Sequence, residues 1–137
     1  MTDGPVTLVF PARADYLLLA RLALTGVARA GNVEEEVLAD LRLAVTEAAG
    51  NAVRHAYDGG AGDVTVTFTL TDAGRIEVVV EDDGPGFDHS TVASWTPHSL
   101  GEEGMGLAII QAVADEVEIG SRPGGTGTRL RFSRALA

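Results

Sequence analysis

Residues 75–87 read "RIEVVVEDDGPGF". This stretch decides the fold, because the alternation that predicts a strand ends inside it. Apolar residues alternate up to Val80, which predicts a strand with one buried face. The alternation breaks at Asp82, and Gly84 and Gly86 follow without a Cβ that would obstruct a ligand. Such a run of acids and glycines is typical of a turn, but an acid held there could also accept a hydrogen bond from an exocyclic amine. The residues alone leave both interpretations open.

The residues before this stretch predict the strand that pairs with it. Residues 64–70 read "VTVTFTL" and alternate with a period of two, and "TDAG" turns the chain after them. Residues 64–81 are therefore predicted to form a β-hairpin. The inward-facing positions of its second strand are Ile76, Val78 and Val80. Alternation over residues 6–10 predicts a further short strand near the start of the chain.

Two helices are predicted between the first strand and the hairpin. The stretch "ADYLLLARLALTGVARAG" has a helical pattern, with Asp15 as the N-cap and Gly31 as the stop. Asn32 followed three residues later by Glu35 resembles a capping box, so a second helix is expected to begin there and to run to about Tyr57. The apolar stripe of this helix is Leu41, Val45, Ala48, Ala52 and Ala56.

A third helix and a closing pair of strands are predicted after a long loop. Residues 84–104 are rich in Gly, Pro, Ser, Thr and His and show no periodicity. Long loops inside a compact domain usually serve a site, so the part over about 87–104 is expected to be a lid. The segment "GMGLAIIQAVAD" then opens a helix at Gly104, and "EVEIG" and "TRLRFS" are predicted strands joined by the turn "RPGGTG".

The order of these elements predicts an α+β fold. Strands and helices are partly segregated along the chain, which favours a two-layer α/β sandwich with helices on one face of a mixed, mostly antiparallel sheet. A length of 137 residues allows one domain with a core of its own. We therefore expect a single domain over residues 1–137, with its core over about 5–133.

Composition argues against several classes of function. The chain has 20 acidic and 10 basic residues and a formal net charge of −10, so nucleic acids and anionic lipid surfaces would repel it. All of the bases are Arg, and a chain without Lys cannot form the phosphate loop G-x-x-x-x-G-K-[ST]. Cysteine is absent, and the sequence shows no secretory leader and no apolar run long enough to span a bilayer. We expect a cytoplasmic protein that binds neither nucleic acid nor membrane.

Three further elements could hold a ligand. Glu47 and Asn51 are four residues apart and would share one helix face beside the apolar stripe, where a carboxylate and an amide could hold a hydrated cation. Half-exposed polar positions that border a core give the same pattern. The segment "GMG" at 104–106 opens a helix and leaves backbone N–H groups free for an anion. The segment "GGTGT" at 124–128 is typical of a hairpin turn.

The order of these elements along the chain is more specific than any one of them. E-x-x-x-N on a helix, D-x-G-x-G after a strand, a lid, G-x-G at a helix start and G-x-G-T before a last strand occur in register. In these motifs the chain resembles the GHKL superfamily of ATPases. With "LRLAVTEAAGNAVRHAY" and its single-domain length, it most resembles the anti-sigma-factor serine kinases of sporulation and stress response. The resemblance covers roughly residues 5–133 and implies the Bergerat ATPase fold.

The resemblance implies a site for ATP and Mg²⁺. Glu47 would be the general base that takes the proton from a serine hydroxyl, and Asn51 would ligate Mg²⁺. Asp82 would bind the adenine amine with support from Thr128, the glycines after Asp82 would allow close approach, and the G-x-G segment would lie against the phosphates. The ATP-binding positions implied in addition to Asn51 and Asp82 are Gly84, Gly86, Gly104, Met105, Gly106 and Thr128.

The resemblance also implies partners. In this family the substrate is a serine on an anti-anti-sigma protein of the STAS type, the same surface sequesters a sigma factor, and the kinase is commonly a homodimer. Between Phe87 and Glu103 there is no Arg or Lys, which favours transfer that depends on Mg²⁺ or on a partner's Arg. The alternatives are a sigma-binding module that binds nucleotide without phosphotransfer, a histidine-kinase-like catalytic domain, and an interaction domain in which the motifs are only turns.

Overall fold

Five strands form one sheet in which each neighbouring pair runs antiparallel. The structure, a computed structural model, describes residues 4–56, 62–84, 102–122 and 127–136. The strands are β1 (Val6–Pro11), β2 (Asp63–Leu70), β3 (Arg75–Asp82), β4 (Glu116–Ser121) and β5 (Thr128–Ala135). Their order across the sheet is β1-β2-β3-β5-β4. The predicted α/β sandwich is confirmed, and its mostly antiparallel sheet is antiparallel throughout the described strands.

The predicted hairpin is the pair β2 and β3. Val66 lies opposite Val80 and Phe68 lies opposite Val78, so the apolar side chains of both strands share one face of the sheet. These side chains are buried, which confirms the inward face predicted from the alternation. Because β5 pairs with the other edge of β3, the end of β3 lies at the middle of the sheet, next to the start of β5.

In the described part of the chain, three α-helices cover the inward face of the sheet. They are α1 (Leu17–Ala30), α2 (Glu35–Asn51) and α3 (Glu102–Val113). A 3₁₀ turn, Ala14–Tyr16, leads into α1, and a π-helical turn, Ala52–Ala56, continues α2. None of the helices among the described residues is long and apolar enough to cross a bilayer.

Two of the predicted helix caps are wrong. Asp15 lies inside the 3₁₀ turn, where its carboxylate pairs with Arg13 at 2.6 Å instead of capping α1. Asn32 adopts a left-handed backbone (φ 52°), a conformation that Asn tolerates, so it follows the end of α1 and cannot open α2 with Glu35. The N-cap of α2 is Glu34, which makes no side-chain capping bond. Gly31 is the C-cap of α1, as predicted, and its N–H donates to the carbonyl of Val27 at 3.0 Å.

The ends of α2 and α3 also differ from the prediction. The second helix changes to π geometry after Asn51, and Tyr57 lies outside the described residues. The third helix begins at Glu102, two residues before the predicted start at Gly104. An acidic residue is favoured at the positive end of a helix dipole, which accounts for the earlier start. Residues 85–101, which hold most of the expected lid, lie outside the described part of the chain.

The core lies between the sheet and the helices. Most of the predicted stripe of α2 is buried in it, as are Leu24 of α1 and Ile110 of α3. The buried members of the stripe are Leu41, Val45, Ala48 and Ala52, and the side chain of Ala56 lies outside the described set. This packing fixes the position of the C-terminal half of α2 and the start of α3, which carry the candidate site residues.

Arg134 connects three elements of this core. It projects from the inward face of β5, donates to the carbonyl of Val113 at the end of α3 (2.8 Å) and pairs with Asp40 of α2 (3.1 Å). Replacing it by Met would leave both groups without this partner, and we expect the free energy of unfolding to fall by about 1–3 kcal/mol. Urea denaturation measures the change.

The matched control is Arg129→Met on the outward face of β5. Arg129 has no carboxylate partner among the described residues, so its replacement is expected to change the free energy of unfolding by less than about 0.5 kcal/mol. Equal stabilities for the two variants would contradict the proposed role of Arg134.

Candidate functional site

Asp82 is a buried carboxylate at the point where β3 ends. Its side chain turns to the helix side of the sheet, and the residue is only 5% exposed. Its Oδ1 accepts hydrogen bonds from the backbone N–H of Gly84 at 2.9 Å and of Thr128 at 3.3 Å. The first bond tightens the turn after β3, and the second ties this turn to the start of β5. Asp82 therefore holds the two chain segments together from inside.

The other carboxylate oxygen of Asp82, Oδ2, is a candidate contact for a ligand. Among the described residues no hydrogen bond uses Oδ2. Burial raises the pKa of Asp82, and the bonds from Gly84 and Thr128 and the charge of Arg122 lower it by less. A buried carboxylate oxygen without a donor is costly unless a ligand supplies one. An amine N–H is a suitable donor for it.

Gly127 lies against the backbone of Asp82, and the sequence analysis missed it. Its φ is 115°, a region that favours glycine, and a Cβ built there would lie 2.0 Å from the carbonyl oxygen of Asp82. The motif G-x-G-T was the available signal, because Gly127 is its second glycine. A side chain at this position would push β5 away from Asp82 and break the contact with Thr128.

Glu47 and Asn51 meet the start of α3. A Cβ on Gly106 would lie 2.8 Å from Oε2 of Glu47, 3.3 Å from Nδ2 of Asn51 and 3.4 Å from its Oδ1. Gly106 is buried, so its missing side chain is what allows α3 to approach α2 this closely. The structure thus brings the carboxylate and the amide of E-x-x-x-N to the second glycine of G-x-G.

Arg54 is a second residue that the sequence analysis missed. It lies in the π-helical turn after α2, and its Nη2 donates to Oδ1 of Asn51 at 2.9 Å. The signal was its position three residues after Asn51, since residues three apart are neighbours on a helix surface. It brings a positive charge beside Asn51.

Other predicted site residues are placed only in part. Gly84 is buried directly after Asp82, and Thr128 is buried with its N–H on Asp82. Gly104 and Met105 belong to the first turn of α3. Gly86 lies outside the described residues.

These features fit a nucleotide. The buried Oδ2 of Asp82, which has no donor among the described residues, suits the exocyclic amine of adenine. The glycine-containing start of α3 can offer backbone N–H groups to phosphates. The side-chain oxygens of Glu47 and Asn51 are the hard ligands that Mg²⁺ prefers. The donors and acceptors are therefore of the right kind for a base at Asp82 and for phosphates with a divalent cation at Glu47 and Asn51.

Comparison with known proteins is consistent with this chemistry. Residues 10–133 match the family described as the histidine kinase-like ATPase domain. The serine-protein kinase RsbW of Bacillus pumilus is 38% identical over 93% of this chain and 85% of its own length. The serine-protein kinase RsbW of Listeria monocytogenes serotype 4a is 35% identical over 83% of this chain and 78% of its own.

Solved structures support the fold. The RsbU and RsbW domains of a Mycobacterium tuberculosis protein superpose with a TM-score of 0.71 at 22% identity, over 98% of this chain and 33% of that one. The SiaB–SiaC complex of Pseudomonas aeruginosa gives a TM-score of 0.60 at 17% identity, over 94% of this chain and 88% of that one. Both show the same arrangement of sheet and helices.

Asp82→Asn separates the role of this residue in binding from its role in folding. Asn keeps an oxygen for the bonds from Gly84 and Thr128 but replaces Oδ2 by an N–H donor, so we expect ATP affinity to fall at least about tenfold. Burial raises the pKa of Asp82 above its ordinary value, so its ionised form lowers stability as pH rises through that pKa. At pH 7 the melting temperature of the variant should equal or exceed that of the wild type.

Calorimetry with Mg-ATP and thermal melts at pH 7 measure the two effects. The matched control is Glu36→Gln, an exposed glutamate in the first turn of α2, which should leave ATP affinity unchanged and alter the melting temperature little. A large loss of stability in Asp82→Asn with unchanged affinity for ATP would show that Asp82 is only structural.

Proposed function

The chain belongs to the family of histidine kinase-like ATPase domains and, within it, to the serine-protein kinases, and from this premise we propose how its residues carry out the reaction. The predictions of the ATPase superfamily and of kinase activity are confirmed. We propose that its substrate is a serine or threonine on an anti-anti-sigma protein and that it also sequesters a sigma factor. The observation that carries the proposal is the contact of Glu47 and Asn51 with Gly106.

ATP would lie between Asp82, which would bind the base, and the pair Glu47 and Asn51, which would lie at the phosphates. Oδ2 of Asp82 would accept a hydrogen bond from the adenine amine, and the glycines after Asp82 would let the base approach the backbone. The remaining proposed ATP contacts are Gly84, Gly86, Gly104, Met105, Gly106 and Thr128. The contact of Gly127 with the Asp82 backbone supports this arrangement, because it keeps β5 close to the adenine position.

Asn51 would ligate Mg²⁺ through Oδ1. When bound, Mg²⁺ supplies positive charge to the phosphates and orients them for transfer. In this structure Oδ1 of Asn51 accepts a hydrogen bond from Arg54, so Arg54 would release this oxygen when the metal binds. The freed guanidinium would then be close enough to the site to neutralise phosphate charge, which the Arg- and Lys-free segment between Phe87 and Glu103 cannot do.

Glu47 would act as the general base. Its carboxylate takes the proton of the partner's hydroxyl while the hydroxyl oxygen forms a bond to the γ-phosphorus of ATP. The bond from that phosphorus to the bridging oxygen of ADP breaks, so the products are the phosphorylated partner and ADP. The contact between Oε2 and the Gly106 position puts the base at the helix start that would face the phosphates.

The outer face of α1 and α2 has the chemistry of a docking surface for this partner. Its exposed leucines are Leu18, Leu22 and Leu43, at 53%, 58% and 44% exposure. Its arginines are Arg21, Arg29 and Arg42, and none has a carboxylate partner among the described residues. A cleft of about 260 Å³ between the helices is lined by Arg29 and Arg42, and Leu43 lies one turn before Glu47. A partner that presents acidic and apolar side chains beside its serine would fit this face.

We also propose that the chain is one domain over residues 1–137 and that it acts in the cytoplasm as a homodimer. The edge strand β1 supports pairing of two copies, because it leaves its outer backbone groups unpaired within the sheet and exposes Val6 and Val9.

Glu47→Gln tests the base. Gln keeps the size of the side chain but cannot take the proton, so phosphate transfer from labelled ATP to an anti-anti-sigma protein of the STAS type should fall about 10²-fold or more. The affinity for Mg-ATP should stay within about threefold of wild type. The matched control is Glu36→Gln, an exposed glutamate in the first turn of α2, which should leave transfer unchanged.

Transfer by Glu47→Gln at the wild-type rate would remove Glu47 as the base. A wild-type protein that binds ATP and the partner yet transfers no label would instead favour the sigma-binding module. Absence of both heat and thermal shift at millimolar Mg-ATP would contradict the nucleotide site itself.

Arg42→Glu tests the docking face. The reversed charge should weaken binding of the same anti-anti-sigma protein about tenfold or more, since it opposes acidic groups of the partner. ATP affinity should not change. The matched control is Arg13→Glu, which lies outside the α1–α2 face, and surface plasmon resonance measures both affinities. Equal partner affinities for the two variants would rule out this face.

A further inference from the structure

Arg122 ties the turn between β4 and β5 to the end of β3. It directly follows β4, and its guanidinium contacts the carboxylates on both sides of Asp82. Nε lies 3.5 Å from Oε2 of Glu81, and Nη1 pairs with Oδ1 of Asp83. Resting on the proposed function, we propose that Arg122 is a positioning residue for adenine recognition, because its ion pairs hold the β4–β5 turn against the strand end that carries Asp82.

The backbone of Arg122 also contacts the residue that precedes β5. Its N–H donates to the carbonyl of Gly127 at 3.2 Å. Gly127 lies on the backbone of Asp82, and the next residue, Thr128, gives its N–H to Oδ1 of Asp82. Direct contacts between neighbouring groups therefore connect Arg122 to the carboxylate of Asp82, which would bind adenine.

The charges around Asp82 explain why a cation is needed here. Residues 81–83 are three consecutive acids at the edge of a buried site, and like charges this close repel one another. Arg122 is the charged side chain among the described residues that lowers the pKa of Asp82. Val64, which pairs with Asp82 across the sheet, and the backbone of residues 127 and 128 carry no charge. The positive charge of Arg122 thus reduces the repulsion among Glu81, Asp82 and Asp83 at the proposed adenine site.

The outer arginine of β5 offers a matched control. Arg129 pairs in register with Glu81, yet it makes no ion pair among the described residues. Arg129→Gln removes the same charge as Arg122→Gln without removing a contact to the turn. Arg122→Lys keeps the charge but lacks the planar group that reaches both carboxylates.

Amide hydrogen exchange in the nucleotide-free protein tests directly whether Arg122 holds the hydrogen bonds to Asp82 in place. In Arg122→Gln the amides of Gly84 and Thr128, which donate to Asp82, should exchange about tenfold faster than in the wild type. Arg122→Lys should show most of this increase and Arg129→Gln none. Unchanged exchange of both amides in Arg122→Gln overturns the proposal, and this result does not depend on whether the protein is a kinase.

Nucleotide affinity as a function of pH tests the consequence for recognition. Arg122→Gln should weaken Mg-ATP about five- to tenfold at pH 7 and Mg-GTP much less, because the adenine contact is the part that is lost. Affinity for ATP should fall as pH decreases through the pKa of Asp82, since the protonated carboxyl no longer accepts from the amine at full strength. Because Arg122 lowers this pKa, Arg122→Gln should move the decrease in ATP affinity to higher pH. Arg122→Lys, which keeps the charge, should restore the wild-type pH profile.

Equal losses for ATP and GTP, or a pH profile that does not move, would mean that Arg122 only stabilises the fold and would overturn the proposal. A wild-type protein that binds no ATP would refute the proposed function, while the exchange rates would still decide whether Arg122 holds the Asp82 hydrogen bonds.

Discussion

The structure depends on one buried carboxylate that serves two backbone segments at once. Oδ1 of Asp82 accepts from the N–H groups of Gly84 and Thr128, so the end of β3 and the start of β5 are fixed relative to each other. These strands are adjacent only because the chain places β5 between β3 and β4. The second oxygen of Asp82 accepts no hydrogen bond among the described residues. Local hydrogen bonding, strand order and the proposed ligand recognition therefore meet at a single side chain.

A second constraint acts where two helices meet. Gly106 lets α3 approach until its backbone lies beside Glu47 and Asn51, and any larger residue would collide with the carboxylate. At the opposite end of α3, Arg134 joins the last carbonyl to Asp40 of α2. The helix is thus held at both ends against the same neighbour. Such fixation limits the movement of its N-terminal N–H groups, which is the preorganisation that binding and transfer of a phosphoryl group require.

Periodic patterns in the sequence predicted the strands and helices. Contacts between residues that are distant in the sequence were not predicted. The β2–β3 hairpin and the stripe of α2 follow from periodicity, because burial of one face imposes it. The caps at Asp15 and Asn32 failed since each residue had a competing local conformation, a 3₁₀ turn and a left-handed backbone. Motif order indicated the family and the site, whereas the contacts of Arg54, Arg122 and Gly127 join segments whose proximity or geometry no local pattern encodes.

The distribution of charged residues indicates which of them serve the proposed function instead of stabilising the fold. Five of the ten arginines pair with acids, and those on the outer face of α1 and α2 have no carboxylate partner among the described residues. Ionisation of Asp82 carries a desolvation cost, because burial is the largest influence on its pKa and raises it. A chain with a net charge of −10 has no shortage of exposed positions for one more acid. Under the proposed function the buried position of Asp82 has a reason: no described residue donates to its Oδ2, and the amine of adenine is a donor of the required kind.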